Sequence, residues 1–162
     1  MFPAKTIDTV IQESRKSNCN IKIGSAIFKN KKKLLFKGHN SNLRTKMRHH
    51  YECSVHAEMF VLNQLKKKMR KRHEKRRRGI CSKYKILVVR INTENGEMQN
   101  AMPCLHCCRQ LLKTGLHKVF YSNNNQIHSY DLNKTPLNPY LSAVQKKLKE
   151  QNWGKKTPPN SS

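Results

Sequence analysis

The spacing of apolar residues along the chain predicts four amphipathic helices. In the first, Ile7, Val10 and Ile11 follow the i, i+3, i+4 spacing that places side chains on one side of a helix. The second follows Ser54, a favourable N-cap residue, and carries an apolar stripe that should face the core. Proline stands near the start of the third and the fourth. The four helices are predicted over 6–17, 55–65, 103–115 and 136–153.

Strands are predicted where apolar residues form short continuous runs. Two such runs are separated by the polar segment KNKKK, a pattern typical of a β-hairpin. The β-branched run KILVVRI indicates a strand that is buried on both faces. Two further short runs flank NNNQ, and asparagine tolerates the left-handed conformations that a tight turn requires. The strands are predicted over 23–28, 34–36, 85–91, 119–122 and 127–132.

The order of these elements, α-β-β-α-β-α-β-β-α, predicts an α/β fold with three layers, α/β/α, whose middle layer is a mixed five-stranded sheet. A chain of 162 residues has the length of one domain. We expect that domain to span 1–152, with a flexible tail over 153–162. A basic insertion, 66–80, separates the second predicted helix from the third predicted strand.

Positive charge is the strongest feature of the composition. The chain has 34 Lys and Arg against nine Asp and Glu, a formal net charge of +25, and such a charge attracts polyanions whatever the fold. Within the insertion, ten of the thirteen residues over 66–78 are Lys or Arg. This run fits a solvated exposed segment, a signal for nuclear import, or a contact to nucleic acid. Since the run follows the C-terminal end of its helix, a nucleic-acid partner would be tethered there rather than held in a pocket.

The composition also argues against membrane and secreted classes of protein. No apolar run approaches the roughly 20 residues that span a bilayer, and MFPAKTIDTV lacks the charged-then-apolar pattern of a secretory signal. We therefore expect an intracellular protein, cytoplasmic or nuclear, without a membrane partner. Three of the six cysteines fall within the five residues CLHCC. Reduced thiols and a metal site explain that clustering better than disulfides do.

Two short stretches supply the residue types of a catalytic metal site. SVHAEMF places His56 and Glu58 at the start of one helix, and PCLHC places Cys104 and Cys107 at the start of another. Helix starts in an α/β fold meet at one edge of the sheet, so the imidazole and the two thiolates could share a tetrahedral Zn²⁺ that keeps a fourth position for water. Zinc lowers the pKa of such a water toward about 7, and the Glu58 carboxylate could transfer its proton. The alternative is a closed structural site whose fourth ligand is Cys108, His106 or Cys53.

These motifs resemble the H-x-E and P-C-x-x-C signature of the zinc-dependent cytidine and deoxycytidylate deaminase superfamily. KGHNSN is similar to the Gly-x-Asn segment that precedes H-A-E in that family, and 103–122 is similar, without gaps, to the second zinc helix and following strand of deoxycytidylate and tRNA-adenosine deaminases. The resemblance covers about 20–122. It implies a cytidine-deaminase-like domain, Zn²⁺ as cofactor and hydrolytic deamination.

The resemblance also implies a role for each matching residue. Glu58 would pass a proton from the zinc-bound water to the ring nitrogen of the base. Asn40 would contact the sugar or base, although Gly-x-Asn also suits a turn, and the backbone amide of Ala57 would contact the pyrimidine carbonyl. The zinc ligands would be His56, Cys104 and Cys107.

We therefore interpret the sequence as a hydrolase that converts cytidine, deoxycytidine or dCMP to the uracil form and releases ammonia. The direct hairpin predicted after 119–122 is typical of free cytidine deaminases, whereas the second zinc helix is closer to the deoxycytidylate group. Two alternatives stay open, a base deaminase that acts on DNA or RNA and a catalytically retired zinc module that binds nucleic acid. Homo-oligomers are common in the resembled family, but no residue here specifies one.

Overall fold

The computed structural model describes residues 2–30, 33–42, 45–47, 50–52, 55–70 and 83–134. The helices of this part of the chain are α1 (Ala4–Arg15), α2 (Ala57–Arg70) and α3 (Leu105–Lys113). The strands are β1 (Lys22–Lys29), β2 (Lys33–His39), β3 (Thr45–Met47), β4 (His50–Glu52), β5 (Tyr84–Ile91), β6 (Met98–Gln99), β7 (Lys118–Asn123) and β8 (Gln126–Asp131). The first three predicted helices and all five predicted strands are therefore present, with ends shifted by a few residues.

The main sheet has the strand order β2-β1-β5-β7-β8, with β6 paired to β5 beside this path. The β5–β7 pair is parallel and the other pairs are antiparallel, which confirms the mixed sheet. The predicted count of five strands is one too low, because β6 is a sixth. Met98 and Gln99 have no apolar pattern of their own, and their strand conformation follows from pairing with Ile91 and Arg90. The strands β3 and β4 form a separate two-stranded sheet.

Side chains alternate between the two faces of the central strand β5. Ile86 and Val88 join the apolar cluster that contains Leu62 of α2 and Leu111 of α3. Their neighbours Leu87 and Val89 join a second cluster, which contains Val10 of α1. Helices therefore cover both faces of the sheet, and the predicted three-layer α/β/α fold is confirmed. A strand buried on both faces requires the continuous apolar run that predicted it.

The helix α1 packs unusually close to β1, and Gly24 makes this contact feasible. A Cβ atom at residue 24 would lie 2.5 Å from the Val10 carbonyl oxygen and 2.7 Å from the Ser14 backbone nitrogen. Since real side chains do not approach backbone atoms so closely, any larger residue would push α1 away from the sheet.

A two-residue turn joins β7 directly to β8. Asn124 and Asn125 both have positive φ values, 45° and 60°, and Asn123 pairs with Gln126 across the turn. This is the type I′ geometry that suits the twist of a hairpin. The structure thus confirms the direct antiparallel hairpin predicted from NNNQ.

Several predictions fall on residues outside the described ranges. They include the helix over 136–153, the cap residue Ser54, the tail, and the basic insertion beyond residue 70, whose first part continues α2 as far as Arg70. The proposed domain limits therefore stay predictions. Within the described ranges, no helix is both long and apolar enough to cross a bilayer.

Candidate metal centre

The start of α2 is held against the sheet by hydrogen bonds on both sides of His56. Val55 and Ser41 exchange backbone hydrogen bonds of 2.8 and 3.1 Å. The hydroxyl of Ser25, a fully buried residue of β1, donates to the Ala57 carbonyl oxygen over 2.7 Å. These contacts place His56 and the first turn of α2 over the middle of the sheet.

The segment before α3 is held against strand β7 of the sheet. The Ala101 backbone nitrogen donates to the Ser122 carbonyl oxygen of β7 over 2.8 Å. Pro103 then leads into Cys104, which has the extended conformation of an N-cap residue (φ −65°, ψ 162°). Cys107 follows in the first turn, so two sulfur atoms lie at the positive end of the helix dipole, which favours thiolates.

The structure brings the three predicted ligands together. The Nδ1 atom of His56 lies 3.6 Å from the Cys104 sulfur and 3.3 Å from the Cys107 sulfur, and all three ligand atoms lie within 4.8 Å of one another. Zinc binds sulfur at about 2.3 Å and imidazole nitrogen at about 2.0–2.1 Å, so a tetrahedral site separates N and S by about 3.6 Å. The donor set and its spacing therefore fit Zn²⁺.

No fourth protein ligand joins this group among the described residues. Cys108 is buried and its thiol donates to the Pro103 carbonyl oxygen over 3.4 Å; burial raises its pKa to about 12, which keeps it a neutral packing residue. His106 lies outside the group, and Cys53 lies outside the described ranges. The described part of the chain supplies three ligands, the number found in catalytic zinc sites.

The two cysteine ligands share a proton in the folded chain. The hydrogen bond from the Cys107 thiol lowers the pKa of Cys104 to about 4, and His56 adds to this effect while burial opposes it. The same hydrogen bond, together with burial, raises the pKa of Cys107. A metal ion must displace this remaining proton, so binding at the site becomes weaker in acid.

Glu58 is buried beside the ligands without being one of them. It is 4% exposed, and a hydrogen bond links its side chain to that of Cys107. Burial raises the pKa of its carboxyl group, and the charge of His56 acts in the opposite direction. A bound cation would act in the same direction as His56. A buried carboxyl group with a raised pKa can hold and release a proton beside the metal ligands.

Asn40 is located at the end of β2 and ties this strand to the start of β1. Its side-chain oxygen accepts a hydrogen bond from the Ile23 backbone nitrogen (2.8 Å), and its side-chain nitrogen donates to the Ile21 carbonyl oxygen (2.7 Å). The residue is 8% exposed. These bonds join residues 17 and 19 positions apart, so the side chain fixes one segment against another instead of closing a local turn, and its contact with substrate stays a prediction.

Ala57 is fully buried and is the first residue of α2. The first amide of a helix has no partner within the helix, and none of the described residues accepts a hydrogen bond from the Ala57 N–H. A buried donor of this kind gains free energy from an acceptor supplied by a ligand. Its contact with a base also stays a prediction.

Sequence reasoning did not identify Ser25. Its hydroxyl is the side-chain group of β1 that fixes the first turn of α2. The available signal was a single hydroxyl within the apolar run IGSAIF, because a polar group in a buried strand needs a partner.

Comparison with known proteins agrees with this geometry. The family described as "cytidine and deoxycytidylate deaminase zinc-binding region" matches residues 4–123. The chain belongs to this family. Its metal is accordingly zinc, and His56, Cys104 and Cys107 are the group that can hold it.

A solved structure shares the fold of this family member. It is the 1.6 Å crystal structure of cytidine deaminase from Burkholderia pseudomallei, with a TM-score of 0.56 and 19% sequence identity. The match covers 82% of this chain and 94% of that chain, and at this identity it shows the fold alone. No curated protein sequence matches the chain.

Proposed function

We propose that this deaminase-family protein removes the exocyclic amino group of cytosine in a free nucleoside or nucleotide, namely cytidine, deoxycytidine or dCMP. The products are the corresponding uracil compound and ammonia. The observation that carries the proposal is a buried acid, Glu58, in contact with one ligand of a three-ligand metal centre. A purely structural metal site has no use for an acid in that position.

Zinc held by His56, Cys104 and Cys107 would supply the Lewis acid that makes water a nucleophile at neutral pH. The carboxylate of Glu58 would accept a proton from water while the oxygen of that water forms a bond to C4 of cytosine. The resulting carboxylic acid would deliver this proton to the ring nitrogen. A second proton, passed from the added hydroxyl to the amino group, would let the C4–N bond break, so that ammonia leaves and the uracil carbonyl remains. Because Glu58 is buried, its proton exchanges with the substrate rather than with bulk water.

The backbone and the end of β2 would position the base. The Ala57 N–H would donate to the carbonyl oxygen of the pyrimidine ring, since this buried amide has no acceptor among the described residues. Asn40 would contact the sugar or base with the hydrogen-bonding capacity left after its bonds to Ile21 and Ile23. Recognition through the pyrimidine carbonyl favours cytosine over adenine, which has no such group.

The strand arrangement supports a free nucleoside as the preferred substrate. The β7–β8 pair is antiparallel, the arrangement that the family resemblance associates with free cytidine deaminases. The solved structure that shares this fold is that of a cytidine deaminase. The likeness of 103–122 to deoxycytidylate deaminases supports dCMP as the second substrate to examine.

The test is to offer the zinc-loaded protein cytidine, deoxycytidine, dCMP, adenosine and single-stranded DNA or RNA in parallel. Ammonia release and product mass identify the base and the substrate class, and the Glu58→Gln variant serves as the inactive control. We expect conversion of a free cytosine compound by the unaltered protein only. Conversion of adenosine alone would refute the base assignment, and conversion of polynucleotide alone would refute the substrate class.

A protein that contains zinc but releases no ammonia from any of these substrates would instead be the retired zinc module. In that case a nucleic acid that binds would do so equally well in the Glu58→Gln variant.

A further inference from the structure

The outer side of α2 and the neighbouring edge strand β2 form one continuous surface. We call it the α2–β2 face and define it by Phe36, Gly38, Phe60, Gln64 and Lys68. The last three are four residues apart, so they lie along one side of the helix. Lys68 Nζ lies 5.4 Å from the centre of the Phe36 ring, within the range of a cation–π interaction.

Phe60 is an exposed aromatic residue that is held in a fixed place. It is 45% exposed, whereas most large apolar residues of the described chain are buried. A side chain at residue 38 would overlap the Phe60 ring, so the ring lies directly against the β2 backbone at Gly38. The protein thus presents a supported aromatic ring to solvent, a surface on which a planar base can stack.

The positive charge of this surface is not neutralised by the rest of the described chain. Glu58 is the one acidic residue of α2, and it is buried in the metal centre. Lys66, Lys67 and Lys68 form no ion pair with any described residue. Lys66 turns toward α3, where its ammonium group donates to Gln110 over 3.5 Å, which leaves Lys68 as the cation beside the aromatic rings.

We propose that the α2–β2 face binds single-stranded nucleic acid, with a base stacked on Phe60 and the phosphate backbone running past Lys68. Phe60 and Lys68 are eight positions apart in the helix, a distance of about 12 Å along the axis. Aromatic rings beside a cation can bind unpaired bases together with their phosphates. A second copy of the chain fits this face less well, because two molecules of charge +25 repel each other.

This face continues toward the metal centre. The Phe60 backbone nitrogen donates to the His56 carbonyl oxygen over 3.1 Å, so the exposed ring lies one helical turn from a zinc ligand. The inference does not depend on the substrate proposed above, since binding at this face needs neither zinc nor Glu58.

Fluorescence anisotropy with a labelled single-stranded oligothymidylate tests the proposal across about 50–200 mM salt. We expect Phe60→Ala to weaken binding about 5- to 150-fold at every salt concentration, the range reported for loss of one stacked base. Lys68→Ala should weaken binding and reduce the slope of log affinity against log salt by about 0.7, the value for one phosphate contact on a single strand. Phe60→Leu and Lys68→Gln repeat the test if an alanine variant does not fold.

The chain offers a matched control for each variant. Lys118 is also exposed and lies over a phenylalanine, with Nζ 5.8 Å from the Phe120 ring centre, but Phe120 is buried and β7 is separated from β2 by two strands. Lys118→Ala therefore removes the same charge without touching the face. Leu34→Ala removes an exposed apolar residue of β2 that pairs with Phe28, which packs on the α1 side. Both controls should bind like the unaltered protein.

Several outcomes would overturn the inference. Equal losses of affinity in Lys68→Ala and Lys118→Ala would mean that binding depends on net charge alone. Unchanged affinity in Phe60→Ala would show that no base stacks on this ring. Equal loss of affinity for a duplex of the same length in Phe60→Ala would also contradict stacking, because duplex bases are not accessible. A dimer in light scattering that Phe60→Ala converts to monomer would assign the face to a second copy. Glu58→Gln should bind normally, which separates this test from that of the deaminase activity.

Discussion

The two helices at the candidate metal centre begin in similar ways. His56 immediately precedes α2 and Cys104 immediately precedes α3, and each helix then adds one functional side chain in its first turn, Glu58 or Cys107. Each start is tied to a strand of the sheet by a hydrogen bond, from Ser25 in one case and to the Ser122 carbonyl in the other. The metal centre is thus assembled from two helix N-termini that the same sheet holds in place.

The C-terminal parts of α3 and of the described α2 differ. Gly115 terminates α3 with a φ of 82°, and the Leu116 and Gly115 backbone nitrogens donate to Leu111 and Leu112 over 3.0 and 2.8 Å, the pattern of a Schellman motif. Leu111 and Leu116 are both fully buried. In contrast, α2 runs past its last buried leucine, Leu65, into Lys66–Lys68 and has no such local stop before Arg70.

The difference indicates a division of roles. Both ends of α3 are fixed, so this helix can place two sulfur atoms with little freedom. In the second half of α2, Leu65 and Met69 still pack against the core, whereas the exposed side chains of Lys67 and Lys68 are available for contacts outside the domain. Substitutions at the starts should therefore affect chemistry, whereas those at the ends should affect stability in α3 and surface contacts in α2.

The largest effect is expected from removal of a metal ligand. Cys107→Ala leaves two ligands, so zinc affinity should fall by more than the roughly 10- to 100-fold that loss of a supporting contact costs, and activity should disappear with the metal. Zinc content after gel filtration measures this. Cys108→Ala is the matched control, because this buried thiol bonds to the Pro103 carbonyl instead. If both variants lost zinc equally, the three-ligand description would be wrong.

The second-largest effect is expected at Glu58, and it distinguishes proton transfer by this residue from metal binding by the ligands. Glu58→Gln should retain one zinc per chain while the rate of ammonia release falls about 10²- to 10⁴-fold, the usual contribution of a general acid–base. The amide has the shape of the carboxyl group it replaces, so unfolding by urea should change little. A variant that is inactive because it has lost its zinc would show that Glu58 acts on the metal rather than on the proton.

Much of this architecture was predictable from local patterns. The predicted helix over 6–17 corresponds to Ala4–Arg15, and the β-branched run over 85–91 corresponds to Tyr84–Ile91. Such elements can be predicted because buried positions recur along the sequence with the period of a helix or form the continuous apolar run of a buried strand. The group His56, Cys104 and Cys107, which the structure brings together, was also predictable, because zinc requires particular residue types and the two motifs place them at helix starts.

The features that were missed depend on tertiary contacts. The strand β6 exists because Met98 and Gln99 meet β5, and no local pattern encodes that meeting. Likewise, the bond from Ser25 to Ala57 joins residues 32 positions apart. The sequence was compatible with Asn40 as either a turn residue or a substrate contact, and it did not predict the bonds of this side chain to Ile21 and Ile23, which are 19 and 17 positions away.

A moderate effect is expected at the end of α3. Gly115→Ala forces a residue with a Cβ atom into the left-handed region, which costs about 1–2 kcal/mol, so the free energy of unfolding in urea should fall by about that amount. Lys67→Ala, on the exposed end of α2, should change it by less than about 0.5 kcal/mol. Equal changes in the two variants would contradict the role of Gly115 in terminating α3.

The smallest effect should come from the hydrogen bond that anchors the start of α2. Ser25→Ala removes the hydroxyl that donates to the Ala57 carbonyl, and loss of one such bond costs about 0.5–1.5 kcal/mol. The comparison is Ser122→Ala, since that hydroxyl both donates to the Gln99 carbonyl and accepts from the Arg90 backbone nitrogen. Ser122→Ala leaves the Arg90 backbone N–H in the sheet without this acceptor. The free energy of unfolding should therefore fall by more, about 1–3 kcal/mol. If Ser25 positions the first turn of α2, Ser25→Ala should also slow ammonia release at full zinc occupancy, whereas a rate equal to that of the unaltered protein would reduce Ser25 to a packing residue.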